Sequence, residues 1–284
     1  MLMLSIFFLT QTMSYAQDLK KIPFDKGILE ICSYKTLNIS GYNGKEVVIR
    51  RLDDNIKDNV IVIDNLKNQK SKIKKEDLIK LSSESENNGL NKGLKPIGGK
   101  IPFQIEQFDN KLIIKDLIDD VIVMATNEKY EIMIPNSILL NWDTTGCHKN
   151  AQFNNSDSSI LKDFNGEVQI TSYLNSIELF DVPGPVSINT IAGNVTVEFN
   201  KTLPVHLYSI YSYNGDVNVK LSEKSNVLID AAGYEILSDL DFTIVSEKAK
   251  IDEGFIIQQM KLKLGTGMVR MKLNTEKGNI YLKN

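Results

Sequence analysis

Two histidines, two cysteines and a few adjacent carboxylates are the residues with which this 284-residue chain could do chemistry. His148 follows Cys147 in the run TTGCH (144–148). A cysteine beside a histidine offers a nucleophile with its base, or two of the ligands of a zinc site. Neither reading is completed, because a metal site needs three or four ligands and no second cluster accompanies the pair; a structural turn accounts for both residues. His206 stands between Val205 and Leu207, where alternation turns it toward solvent or a strand neighbour. Asp53 with Asp54, Asp119 with Asp120, and Asp239 with Asp241 supply paired carboxylates. Glycoside hydrolysis needs two such groups facing each other across a cleft. Adjacent residues of a strand point to opposite faces, so the neighbouring pairs read as solvated corner residues. Calcium would suit Asp and Asn corners, but the nonapeptide calcium repeat is absent.

Other motifs of catalysis are missing. Gly265-Thr266-Gly267 lacks a third glycine and a strand-to-helix context, so no phosphate cradle is expected. There is no Gly-x-Ser-x-Gly elbow. The lysines of 70–75 are followed at once by Glu76 and Asp77, which describes a solvated face. A net charge of −3 gives no broad positive field, which disfavours nucleic acid and anionic membranes as partners. No catalytic, cofactor-binding or metal residue is assigned, and no cofactor is expected. Four tyrosines, Tyr173, Tyr208, Tyr211 and Tyr213, lie close together. On an outer sheet face they would form a ladder for sugar or partner contact; packing in the core or shielding an edge is the alternative.

The elements that must position these residues are short strands. Apolar residues alternate with polar ones in GKEVVI (44–49), NVIVI (59–63), NKLII (110–114), DVIVM (120–124) and YEIMI (130–134). The second half is more regular: NGEVQI (165–170), NSIEL (175–179), GPVSI (184–188), GNVTV (193–197), PVHL (204–207) and NGDVNV (214–219). NVLI (226–229), GMVRM (267–271) and KGNIYL (277–282) complete the series. A unit of Gly or Asn, polar, apolar, polar, apolar thus repeats. One such strand buries two or three side chains and is unstable alone. Stacked in parallel, each strand satisfies the backbone of its neighbours and the inward Val and Ile form a column, with Gly or Asn turning each corner. The expected fold is all-β, a parallel β-solenoid; an antiparallel β-sandwich is the alternative.

Residues 1–17, MLMLSIFFLTQTMSYAQ, carry an apolar run too short to span a bilayer. Ser14 and Ala16 stand at the −3 and −1 positions of a cleavage site before Gln17. We expect a signal peptide over 1–16, although no Lys or Arg precedes the run; the free amine supplies that charge, or the start is misassigned, or the segment is a buried first strand. No cysteine follows the cleavage point, which argues against a lipid anchor there. Residues 17–284 then form a single elongated β-repeat domain with a polar insertion at about 68–100, where Lys75 to Ile79 can hold a helical turn. Asn150 to Ser159 reads as a second loop. In an oxidising compartment Cys32 and Cys147 could pair; two unpaired thiols are the alternative.

These pieces resemble the bacterial putative-adhesin family of repeat β proteins. The resemblance rests on LNISGYNGKEVVI (37–49), NGL (88–90) with GLKPI (93–97), KYEIMIPN (129–136), GEVQI (166–170) through GPVSINTIAGNVTV (184–197), and TEKGNIYL (275–282). Ala192, Tyr213 and the pair Asn175-Ser176 depart from its usual corners. The resemblance implies a right-handed solenoid exported to the periplasm, cell surface or medium of a bacterium, and it brings no catalytic or ligand residues. The expected function is therefore a non-catalytic envelope scaffold that binds a polymer or protein of the cell surface, with no membrane-spanning segment. A polysaccharide-acting enzyme on the same scaffold and an envelope-stress sensor are the competing expectations. The enzyme needs Asp239, Asp241 and further acids gathered in one groove.

Overall fold

A computed structural model of the chain describes residues 19–33, 35–52, 62–63, 101–116, 122–123, 129–144, 158–252 and 254–284. The expected signal segment, the polar insertion, Asp53, Asp54, Asp119, Asp120, Cys147 and His148 lie outside these residues. So does the loop of 150–159, except for its last two positions.

The described elements are all strands, as the alternation predicts. The first are β1 (Leu19–Pro23), β2 (Gly27–Cys32), β3 (Thr36–Tyr42), β4 (Glu46–Arg51), β5 (Val62–Ile63) and β6 (Phe103–Phe108). Next come β7 (Lys111–Asp116), β8 (Ile122–Val123), β9 (Lys129–Pro135), β10 (Ile138–Asp143), β11 (Ser159–Lys162) and β12 (Val168–Ser172). The repeat continues through β13 (Ile177–Phe180), β14 (Val186–Ala192), β15 (Val195–Glu198), β16 (Tyr208–Asn214), β17 (Val217–Lys220) and β18 (Val227–Gly233). The last are β19 (Ile236–Ser238), β20 (Thr243–Asp252), β21 (Phe255–Leu264), β22 (Val269–Thr275) and β23 (Ile280–Lys283).

They form two large mixed sheets and one short two-stranded pair, with no closed barrel. The 10-stranded sheet runs β1-β4-β9-β3-β11-β13-β15-β17-β23-β19, and the 11-stranded sheet runs β20-β21-β18-β22-β16-β14-β12-β10-β2-β7-β6. From β11 to β17 the chain alternates between the sheets, and each strand pairs in parallel with the strand two further on.

Two findings correct the expectation of an all-parallel coil. Antiparallel partners stand toward the ends of both sheets: β6 with β7, β18 with β21, β20 with β21, and β4 with both β1 and β9. Short connections cause two of these pairings, because neither the Asp109-Asn110 turn nor the step from Asp252 to its partner Phe255 is long enough for a parallel crossover. The second correction concerns order. After β17 the chain skips a position to lay down β18 and β19, and β22 and β23 later fill the gap beside β16 and β17. Two sheets around one core is the layering of the sandwich alternative, whereas most pairing within each sheet is parallel.

The inward positions are the alternating apolar residues of the sequence. Val168, Ile170, Val186, Ile188 and Ile210 on one sheet meet Ile177, Leu179, Val195, Val197, Val217 and Val219 on the other, all buried. Each such side chain contributes about 1.5–3 kcal/mol by leaving water. The segment 204–207, expected as a strand, is a connection instead, with Pro204 buried and 205–207 exposed, and β16 starts at Tyr208. Pro204 lacks the N–H of a ladder residue.

Four corners, each leading from the larger sheet to the smaller, align residue by residue: Ser172 to Ser176, Thr190 to Asn194, Ser212 to Asp216 and Thr275 to Asn279. The first member of each is a buried hydroxyl. Ser172 Oγ donates to the Asn175 carbonyl at 3.1 Å, Thr190 Oγ1 to the Ala192 carbonyl at 2.7 Å, and Thr275 Oγ1 to the Gly215 carbonyl at 2.8 Å. The last member links one corner to the next. The Asn194 N–H donates to Ser176 Oγ at 3.1 Å, the Asp216 N–H to Asn194 Oδ1 at 3.0 Å, and the Asn279 N–H to Asp216 Oδ1 at 2.8 Å. These bonds satisfy amides that a turn would otherwise leave without strand partners.

The fourth member is Asn175, Gly193, Gly215 or Gly278. Gly193 takes φ +97°, a left-handed conformation that side chains disfavour. Gly215 is required for a different reason: a Cβ there would lie 2.2 Å from the Gly193 carbonyl oxygen. The opposite corners use aspartate in left-handed backbone, at Asp163 (φ 52°) and Asp181 (φ 54°). Asp181 Oδ1 accepts the N–H groups of Asn200, Lys201 and Thr202 at 2.9, 2.6 and 3.0 Å. Burial alone would raise this carboxyl, but those three donors and the Lys201 charge hold it below its ordinary value.

Gly215→Ala is expected to cost about 2 kcal/mol, since backbone rather than a flexible side chain must give way. Thermal denaturation should show a midpoint lower by about 5 °C; an unchanged midpoint would show that the corner column is not packed this tightly.

Candidate functional site

The corner alignment also organises the outer surface. Because the buried hydroxyl faces inward, the second member of each corner faces out: Tyr173, Ile191, Tyr213 and Glu276. Ser172 pairs with Thr190, Thr190 with Ser212, and Ser212 with Thr275, so these four stand one strand apart along the 11-stranded sheet. Tyr173 and Ile191 are each 46% exposed and Tyr213 is 38% exposed. Neighbouring strands lie about 4.8 Å apart, so the three apolar side chains form a continuous exposed rail. Lys277 Nζ lies over the Tyr213 ring, 4.8 Å from its centroid.

Beyond Tyr213 a trough is lined by residues of β18, β22 and the β20–β21 hairpin of the same sheet. Two adjoining hollows of about 350 and 360 Å³ share a floor of Ala232, Gln259 and Asn274. Tyr234 and Phe255 stack with ring centroids 5.3 Å apart at the wall of the second hollow, opposite Tyr213. Lysines surround the floor: Lys248, Lys261 and Lys272 at the first hollow, Lys250 and Lys277 at the second. Two carboxylates interrupt them. Asp230 pairs with Lys261 at 3.5 Å, and Glu276 accepts the hydroxyl of Tyr211. The bond to Glu276, then burial, then the neighbouring Glu276 charge and Tyr213 push the Tyr211 phenol up to about 12.

The four tyrosines singled out from sequence therefore divide. Tyr173 and Tyr213 belong to the rail, and Tyr211 stands one row in, tied to Glu276. Tyr208 is corrected: it is 1% exposed and cannot touch a ligand on this face. Its hydroxyl donates to the Val182 carbonyl, its ring meets Phe199 edge-on at 5.5 Å, and burial raises its phenol. The parity of the strand carries the signal, since Tyr208, Ile210 and Ser212 share the inward face while Tyr211 and Tyr213 take the other. Sequence reading missed Ile191, which the corner alignment places between Tyr173 and Tyr213. It also missed Tyr234, Phe255 and the trough lysines, which come together only through the hairpin.

The remaining candidates do not join this site. Asp239 Oδ1 accepts the Asn284 N–H at 2.9 Å and Asp241 is exposed nearby; neither lines the trough. His206 is exposed between Val205 and Leu207, which are 56% and 54% exposed. Cys32 ends β2 and is disulfide-bonded. Among the described residues no three His, Cys, Asp or Glu side chains gather as a metal site would require. No described helix is long and apolar enough to cross a membrane.

No family model matches the sequence, and no curated protein does. Among solved structures, the chain is similar to a "putative cell adhesion protein" from Clostridium sporogenes, with 12% identity and a TM-score of 0.40 over 94% of this chain and 99% of that one. It is also similar to a "putative adhesin" from Bacteroides fragilis, with 8% identity and a TM-score of 0.25 over 95% of this chain and 98% of that one.

Glu276→Gln should bring the Tyr211 phenol down from about 12 toward the ordinary tyrosine value of 10.0. Spectrophotometric titration against the Tyr211→Phe variant isolates this one group; an unshifted curve would show that Glu276 does not hold the phenol.

Proposed function

We propose that this chain is a non-catalytic, exported β-repeat protein of the bacterial envelope that binds an extended saccharide polymer along the outer face of its larger sheet. The observation that carries the reading is the rail of Tyr173, Ile191 and Tyr213, exposed side by side at strand spacing. Sugar rings present flat apolar faces, and aromatic side chains offer matching flat surfaces whose edges tolerate water. A polymer suits a repeated row better than a small molecule does, because successive units meet successive strands. In this reading the stacked strands act as a β-solenoid segment within the two sheets, and the protein serves as an adhesin-type scaffold. The carboxylates Asp239 and Asp241 take no part.

Export also gives the disulfide a setting. We propose that Cys32 pairs with Cys147, closing a loop of about 115 residues. Restricting so long a loop in the unfolded chain is worth about 4–5 kcal/mol. Reductant, or the double change Cys32→Ser and Cys147→Ser, should lower the thermal midpoint substantially; indifference to both would remove the pairing.

Sedimentation with insoluble polysaccharides tests the binding reading. Tyr173→Ala and Tyr213→Ala should each weaken retention about tenfold, or 1.4 kcal/mol, with the thermal midpoint unchanged. Retention on no polysaccharide by the unaltered protein, or full retention by both variants, would overturn it.

A further inference from the structure

We propose that the polymer is acidic, a polyuronate-type polysaccharide whose carboxylates lie in the lysine-lined trough while its rings pass along the tyrosine rail. This deepens the saccharide-binding reading and rests on it. The trough and the rail are continuous, since Tyr213 belongs to both. Five lysines, Lys248, Lys250, Lys261, Lys272 and Lys277, face the trough against two carboxylates, Asp230 and Glu276. That leaves three net positive charges in one concave strip of a chain whose total is −3. Such segregation runs against the average charge of the surface, and a concave, low-dielectric wall focuses its field on whatever occupies it.

The two acids, Asp230 beside Lys261 and Glu276 under the Tyr211 hydroxyl, are already subtracted in that net of three. The floor between the lysines carries Gln259 and Asn274 with only the methyl of Ala232 between them. Amide side chains donate and accept at once, which suits the hydroxyls of a sugar ring. The stacked pair Tyr234 and Phe255 supplies an apolar wall beside them. Hydroxyl partners, an aromatic wall and surrounding cations are together the requirements of a sugar acid. Each hollow, at about 350–360 Å³, falls within the range of small-ligand sites.

The test compares polygalacturonate, its methyl ester, a neutral glucan and a single-stranded oligonucleotide as probes for the full chain. The protein should bind polygalacturonate with an affinity that falls as salt is raised, and should bind the ester and the glucan at least tenfold more weakly. The double variant Lys248→Gln with Lys272→Gln, both surface changes, should lose about tenfold for the acid, show a weaker salt dependence, and keep whatever affinity it has for the ester. Equal binding of acid and ester, or an unaffected double variant, would overturn the acidic ligand while leaving the saccharide reading intact, provided the tyrosine variants still lose binding. Oligonucleotide binding as tight as that of polygalacturonate would overturn the saccharide specificity. Binding to none of the four would overturn the acidic ligand, and the glucan and ester would then speak against the broader reading as well.

Discussion

In-register stacking of short strands is the constraint on which everything else in this molecule depends. A strand of four to seven residues, such as β13 or β14, cannot hold its own backbone against water. Between β11 and β17 each strand is flanked on both sides in its sheet, and the corners between them are bridged as well. The bonds from Asn194 to Ser176, Asp216 to Asn194 and Asn279 to Asp216 continue the ladder through turns where the strand ladder stops. Register is thereby set twice, by apolar residues facing inward and by polar corner residues of matching length. A slip of one residue would turn Val186, Ile188, Ile210 and their neighbours to solvent and break the corner bridges together.

The same register turns a repeated sequence into a repeated surface. Because buried hydroxyls fix the inward side of each corner, the next residue has no choice but to face out. Three of the four positions are large and apolar, and the fourth, Glu276, leads into the trough. Function on this molecule is then a matter of which residue evolution places at a position whose direction is already determined. Rigid strands present such residues with less loss of freedom than loops would. The trough uses a different device: an antiparallel hairpin extends the larger sheet past β18, and its Phe255 and Lys250 line the same hollow as Tyr213 and Lys277. A purely sequential coil would have no such hairpin.

Two of the departures from a simple coil, the pairing of β6 with β7 and of β20 with β21, share one physical cause. Parallel pairing demands that the chain cross to the other sheet and come back, whereas a two-residue turn at Asp109-Asn110 forces the antiparallel neighbour at once. Those hairpins stand toward the sheet ends, where β6 and β20 are the outermost strands of the larger sheet. Charges on β20, including Glu247 and Lys248, and its irregular register at Ile244 to Ser246 are features that discourage further pairing at an exposed edge.

By itself the amino-acid sequence determined the secondary-structure class, the inward faces and the corners. Alternation of Val and Ile with polar residues has only one sheet-compatible arrangement, and glycine at positions 193, 215 and 278 marks where backbones approach too closely for a side chain. Read with its parity, it also separates buried Tyr208 from outward Tyr211 and Tyr213, because period two is a local property. Only the tertiary structure decided that β22 lies between β16 and β18, that the sheets are mixed, and that Tyr234 and Phe255 face Tyr213 across a lysine-lined hollow. Strands of similar composition can pair in many orders with nearly equal local energy. The choice among them rests on contacts between residues far apart in the chain, which no local pattern encodes.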